Sequence, residues 1–221
     1  MRFDKDKIPL YKKAMSFASP VWLWSEKSVL NKQLDVLFYK GRFQLATSDA
    51  LYSDGFKYTP ALAIVRSLKK FLPTVKKTLI CGVGLGSTVE IMDSLGWHPD
   101  FTLVEYDKTI LRLATEYLST FPKVKFEPVW ENAQTFMEKT TSKWNFIFID
   151  IFDSRVVPEF VTGADFLNHC KNALEEGGKL AMNYIINNEA NWEETQARFK
   201  EIFPDHYVIS DDINRIFIAS K

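Results

Sequence analysis

From Thr78 onward, short runs rich in β-branched and aromatic residues alternate with longer stretches whose apolar residues recur at helical spacing. A strand buried on both faces reads as a continuous apolar run, and the helix crossing back over it must be amphipathic, so this alternation predicts a parallel sheet covered on both sides. The pattern places strands at 78–81 (TLIC), 101–105 (FTLVE), 124–129 (VKFEPV), 146–150 (FIFID), 179–185 (KLAMNYI), 206–210 (HYVIS) and 215–219 (RIFIA). Only Asp211 to Asn214 separate the last two, too short a link for a crossover helix, so these must be antiparallel neighbours.

Helix signals fill the gaps. Ser87-Thr88-Val89-Glu90 fits a capping box, Asp107 is placed to cap a helix running to about Leu118, and Thr162-Gly163-Ala164-Asp165 repeats the capping pattern before FLNHCKNAL, which Gly177-Gly178 should end. Upstream, residues 34–39 (LDVLFY) and 42–47 (RFQLAT) flank Lys40-Gly41 as a hairpin. Trp22, Trp24 and Phe38 should pack that hairpin against the main body or another subunit, and Pro60 should open a helix, ALAIVRSLKKFL. The expected division is a β appendage over residues 1–58 and the α/β domain over 59–221.

Five helix-linked strands followed by a closing hairpin make an α/β chain of methyltransferase-like (Rossmann-like) type, a doubly wound sheet with an antiparallel last strand plus a small N-terminal β-hairpin appendage. A nicotinamide-type sheet would end in another parallel strand. Composition agrees: 221 residues, 46% of them apolar, hold one such core with some tens of residues to spare. With 28 basic against 28 acidic residues, a general nucleic-acid binder is disfavoured, and the Lys69, Lys70, Lys76 and Lys77 cluster reads as a solvated helix end. Cys81 and Cys170 are expected as core thiols, and His98, His169 and His206 fall outside every motif, so no metal site is expected. The N-terminal segment lacks a signal-peptide apolar region and no run of eighteen apolar residues occurs, which leads to the expectation of a soluble, cytoplasmic chain without a membrane partner.

In TLICGVGLGSTVE the chain leaves a buried strand, passes Gly82, Gly84 and Gly86, and enters a helix. Glycines admit positive φ and close backbone approach, and a helix N-terminus offers free amides, so this is a nucleoside-binding turn. Glu105, at the end of the second strand, is placed to accept both ribose hydroxyls. Ser87 stands where a dinucleotide fingerprint expects Gly or Ala, which weakens the nicotinamide reading. Glu131-Asn132, before the helix AQTFMEK, lie where this fold presents an acid or amide to adenine.

The order of glycine loop, VEYD, Glu131 and FIFIDIFDS resembles the spermidine synthase branch of the methyltransferase superfamily, over roughly residues 34–185. That resemblance implies roles for the Asp-x-x-Asp after the fourth strand: Asp150 would assist deprotonation of an attacking amine and Asp153 would hold a polyamine. It also maps Asp54, Phe56 and Tyr58 onto part of a D-E-F-x-Y segment, with Tyr58 near substrate and cofactor. Three departures stand against a polyamine substrate. Leu85 occupies the position of an Asp that anchors the ammonium of decarboxylated S-adenosylmethionine. Gly55 and Thr59-Pro60 replace acidic and polar residues. Arg155 follows Asp153 closely enough to neutralise a carboxylate.

The leading expectation is therefore methyl transfer from S-adenosyl-L-methionine to a small molecule, with Asp150 as general base and Tyr58 orienting the acceptor. Its rivals are aminopropyl transfer from decarboxylated S-adenosylmethionine, and a non-catalytic binding module working through the N-terminal aromatics. Those aromatics also suggest a homodimer.

Overall fold

In the computed structural model, which describes residues 2–221, the chain begins with helix α1 (Leu10–Met15), strands β1 (Val21–Glu26), β2 (Leu34–Tyr39), β3 (Arg42–Ala46) and β4 (Leu51–Ser53), and helix α2 (Thr59–Ser67). It continues through β5 (Lys77–Cys81), α3 (Ser87–Ser94), β6 (Asp100–Glu105), α4 (Lys108–Leu118), β7 (Lys125–Trp130), α5 (Ala133–Lys139) and β8 (Trp144–Ile149). It closes with α6 (Ala164–Ala173), β9 (Leu174–Ile185), α7 (Glu189–Ile202), β10 (His206–Asp211) and β11 (Asn214–Ser220).

Seven strands form one sheet in the order β10-β11-β9-β8-β5-β6-β7. The five from β9 to β7 are parallel and the closing pair is antiparallel, so the α/β architecture expected from the strand spacing is present. The chain leaves β5 toward β6 on one side and reaches β8 on the other, which opens a crevice at the carboxyl ends of these strands. Alternation along β5 feeds two cores: Leu79 and Cys81 join one apolar cluster with Phe166, Cys170 and Phe199, while Ile80 joins another with Leu103, Leu113 and Phe148. Both cysteines are buried and free.

The N-terminal hairpin is larger than its alternating runs suggest, because β1 and β4 extend it to an antiparallel sheet in the order β1-β2-β3-β4. β4 has only three residues, and β1 has a register shift between Trp22 and Trp24, so neither shows a clean period of two. This small sheet shares the second core. Phe43 lies 5.1 Å from Phe3 and 5.5 Å from Tyr117 of α4, ring centre to ring centre. Phe38 is buried there, Trp24 packs at 5.2 Å on Phe3, and Trp22 stays about half exposed under Lys12.

Four local expectations are corrected. The N-cap of α3 is Gly86, with no side-chain bond to the helix, because the Ser87 hydroxyl is turned to Ser53 of β4 and the Glu90 side chain is buried. At the start of α6 the cap is Gly163, while Thr162 bonds back to the Glu159 carbonyl. Gly177 and Gly178 do not end α6, which stops at Ala173; they lie at the start of β9, and both bond to Lys221 at the C-terminus. α2 ends at Ser67 and gives way to a tight turn at Leu72–Thr74, since Pro73 cannot donate a helical bond and disfavours helix before it. Asp107 does cap α4, accepting from Thr109 N at 2.9 Å and Ile110 N at 3.3 Å. Among the described residues, no helix is long and apolar enough to cross a membrane.

Candidate active site

Register decides what meets at the crevice. Cys81 pairs with Val104 on one side and with Ile149 on the other, so the next residues of the three strands, Gly82, Glu105 and Asp150, emerge together. Gly82 has φ of +84°, and a Cβ there would overlap the Asp150 carbonyl oxygen. Gly84 has φ of +54°, and its Cβ would stand 2.5 Å from the Tyr52 carbonyl oxygen. These glycines therefore let the loop press against β4 and the end of β8, which brings the two halves of the crevice together. Gly82 and Gly84 line the crevice. Gly86 does not; it packs on Leu118 at the head of α3.

The crevice encloses about 860 Å³, a size suited to a small organic ligand. Glu105 forms part of one end of it. One carboxylate oxygen accepts from Val83 N at 3.0 Å and the other from Asp107 N at 2.9 Å, so the carboxylate braces the glycine loop while each oxygen keeps a second acceptor site. Burial pushes its pKa up. Glu131 and Asn132 line the same end. Glu131 lies 3.3 Å from Lys139, and Asn132 spends its side-chain oxygen on capping α5, accepting from Gln134 N at 2.8 Å. Only the Asn132 amide NH₂ remains free to donate to a ligand.

Asp150, Tyr58 and Asn183 meet at the other end. Asn183 Nδ2 donates to Asp150 Oδ1 at 3.0 Å, and the Tyr58 hydroxyl neighbours both side chains. Desolvation raises the Asp150 carboxyl to about 6 in spite of these polar neighbours, and burial with the neighbouring Asp150 charge raises the Tyr58 hydroxyl well above its ordinary value. Asn183 is 1% exposed, lines the crevice, and its Oδ1 has no partner, so an acceptor stands ready for an N–H of a bound molecule. Sequence reasoning missed Asn183, because no linear motif carries it. The signal was register: Ile149 pairs with Met182, so Asp150 and Asn183 stand side by side on parallel neighbours.

Asp153 is exposed at the crevice mouth, on a turn closed by backbone bonds with Val156 of 2.9 and 3.0 Å. Arg155 neutralises neither Asp150 nor Asp153. Its Nε donates to the Asp49 carbonyl at 3.0 Å, and among the described residues no Lys or Arg pairs with either acid. Asp54 is the acid that is neutralised, held by Arg42 at 2.6 and 3.2 Å and by Gln44 at 2.5 Å. Gly55 has a spatial reason: its Cβ would come within 3.1 Å of Glu90 Oε2 and of the Arg42 side chain. Further residues that sequence did not place here are Asn31, Tyr52 and the β10–β11 turn at Asp212. The lining is acidic, with Asp54, Glu105, Asp107, Glu131, Asp150, Asp153 and Asp212 against Lys57 and Arg155.

Leu85, the residue that pointed most strongly away from a polyamine substrate, is 1% exposed in the core and does not line the crevice. The comparisons with known proteins agree with that correction. The sequence signature of the spermine/spermidine synthase domain matches residues 56–210. A polyamine aminopropyltransferase from Alkaliphilus metalliredigens is 28% identical over 206 residues, covering 86% of this chain and 70% of the relative. Another from Vibrio vulnificus is 22% identical, covering 73% of this chain and 56% of the relative, so the chain spans little more than half of that protein. Spermidine synthase from Thermotoga maritima superposes with a TM-score of 0.69 at 20% identity, covering 91% of this chain and 73% of the other, a likeness of fold. The expectation of a methyltransferase is overturned: the relatives are named for aminopropyl transfer.

Proposed function

The chain belongs to the spermine/spermidine synthase domain family, and from that premise we propose that it is an aminopropyltransferase that takes decarboxylated S-adenosylmethionine and a di- or polyamine as substrates. The amine nitrogen attacks the propyl carbon bonded to the sulfonium. The carbon–sulfur bond breaks with its electron pair passing to sulfur, 5′-methylthioadenosine leaves, and the new secondary amine gives up a proton. Asp150 takes that proton, Tyr58 and the unpaired Asn183 oxygen orient the attacking nitrogen, and Asp153 holds a distal ammonium. Glu105 receives the ribose hydroxyls on its free acceptor sites, Gly82 and Gly84 bring the loop against the nucleoside, and Glu131 with the Asn132 NH₂ faces adenine.

The observation that carries this reading is the acidic crevice around Asp150, with Arg155 turned away to Asp49. Two cations, a sulfonium and an ammonium, are drawn to such a lining, and the carboxylate of intact S-adenosylmethionine is repelled by it. In the division proposed here, residues 1–58 supply one wall of the site and 59–221 the nucleoside half. Exposed Leu10, Tyr11, Met15, Phe17 and Trp22 support pairing of two chains through the N-terminal region.

Calorimetric titration tests the choice of substrate. Decarboxylated S-adenosylmethionine should bind at least tenfold more tightly than S-adenosylmethionine, about 1.4 kcal/mol. Equal affinity, or preference for the carboxylated form, overturns the proposal.

A further inference from the structure

Asp54 lines the crevice, but its charge is taken up by protein. Arg42 Nε donates to Oδ1 at 2.6 Å, Arg42 Nη2 donates to Oδ2 at 3.2 Å, and Gln44 Nε2 donates to Oδ1 at 2.5 Å. Arg42 is 7% exposed and stands at the start of β3, opposite Tyr39 of β2. Its Nη1 reaches the Tyr39 carbonyl at 3.4 Å, and its guanidinium carbon lies 4.8 Å from the centre of the Tyr39 ring and 5.9 Å from that of Phe56. Such a place calls for a planar fork, because an ammonium cannot grip both carboxylate oxygens and stack on rings at once. Taking an ion pair out of water is costly, and an apolar pair of similar volume holds a fold about as well. Stability alone therefore gives little reason for an Arg–Asp pair in this wall.

Placement gives a better one. The Asp54 carbonyl accepts from Lys57 N at 3.1 Å, the Gly55 carbonyl from Tyr58 N at 3.2 Å, and the Tyr58 carbonyl from Leu62 N at 3.1 Å in the first turn of α2. A line of bonds thus runs from β3 through the Asp54 carboxylate and one tight turn to Tyr58. Gly55, with φ of +52°, lets that turn lie on the Arg42 stem, where a Cβ would come within 3.1 Å of the Arg42 Cβ. Tyr58 then lines the crevice together with Asp150 and Asn183.

We propose that Arg42 is a positioning residue, whose fork holds Asp54 so that the turn after it sets Tyr58 at the acceptor end of the crevice. Asp54 is thereby an anchor for the wall and not an ammonium site. This rests on the orienting role given to Tyr58 in the aminopropyl reading. Arg42 itself does not line the crevice and acts only through the segment it holds.

Amide hydrogen exchange over residues 55–62 reads the clamp without any substrate. In Arg42→Lys, which keeps the charge and loses the fork, this segment should exchange about tenfold faster than in wild type, while 5′-methylthioadenosine binds with affinity within about threefold of wild type. Asp54→Asn breaks the same pair from the other side; it should speed exchange likewise, and it carries the test if Arg42→Lys does not fold. In turnover, Tyr58→Phe, which keeps the ring and loses the hydroxyl, should lower kcat about tenfold, and Arg42→Lys should lower it about as far, with KM for decarboxylated S-adenosylmethionine within about twofold of wild type. The double variant should be no slower than the slower single one, a coupling that a general loss of structure would not give. Exchange as slow as wild type in both clamp variants overturns the proposal. So do losses in kcat that multiply in the double variant, or an unchanged kcat in Tyr58→Phe beside an impaired Arg42→Lys. Absence of aminopropyl transfer by the wild-type chain overturns the parent reading instead, and exchange in the two clamp variants still decides whether Arg42 holds the segment.

Discussion

Asp150 sits where a charge is penalised but two donors are waiting. Burial raises its carboxyl to about 6, while Asn183 and Tyr58 hold it within reach of ionisation near neutrality. A general base works best with a pKa near the operating pH. With saturating substrates, kcat should therefore climb as pH rises through about 6, because only the carboxylate accepts the amine proton. The fold responds in the opposite sense. A carboxyl whose folded pKa lies above its unfolded value favours the protonated native state, and that contribution fades between the ordinary carboxylate range and about pH 6. Asp150→Asn should lower kcat roughly 10²- to 10⁴-fold and remove the rising limb, with no loss in thermal stability at neutral pH. A variant that keeps the limb would assign the titration to another group. At this scale Asp150, Tyr58 and Glu105 were legible because each stands at a strand end or in a motif of fixed spacing. Asn183 was not, since its partnership with Asp150 exists only across two parallel strands 33 residues apart in sequence.

Among the elements, the loop between β5 and α3 is the joint on which both halves of the site turn. Gly82 and Gly84 face protein carbonyls, so a side chain at either separates β8 or β4 from the loop whether or not a ligand is bound. Gly84→Ala should cost about 1 to 3 kcal/mol, from a strained positive φ together with overlap on the Tyr52 carbonyl. Denaturant titration reads this directly, and a neutral result would show that β4 does not bear on the loop. The central parallel strands β5 and β8 were visible in sequence as short, mostly apolar runs, buried along most of their length. Helix ends were harder. Ser87 and Glu90 form a capping pattern on paper, but in the fold β4 takes the Ser87 hydroxyl and the Glu90 side chain is buried. Gly177-Gly178 likewise looked like a helix stop, but their conformational freedom serves the pairing of β9 with the chain end. In each case a tertiary partner outbid a local one, and no linear pattern records such partners.

At the scale of the whole molecule, the small N-terminal sheet and the larger sheet share one apolar cluster and close one crevice between them. Phe38 and Phe43 pack with Tyr117 on one side of the boundary, while Asn31, Tyr52 and Tyr58 face Glu105 and Asp150 across it. Sequence showed the larger sheet and a hairpin. It could not show that the hairpin wall carries part of the site, because those contacts join segments far apart in the chain. The inference toward methyl transfer failed for the same reason: Leu85 was weighed as a crevice residue, and its side chain belongs to the core. Product analysis by mass spectrometry tests the central claim most directly. Incubated with decarboxylated S-adenosylmethionine and 1,4-diaminobutane, the chain should yield a triamine and an equal amount of 5′-methylthioadenosine, and Asp150→Asn should slow the formation of both by roughly 10²- to 10⁴-fold. A methylated amine with S-adenosylhomocysteine from S-adenosylmethionine, and no triamine from the decarboxylated substrate, would contradict it.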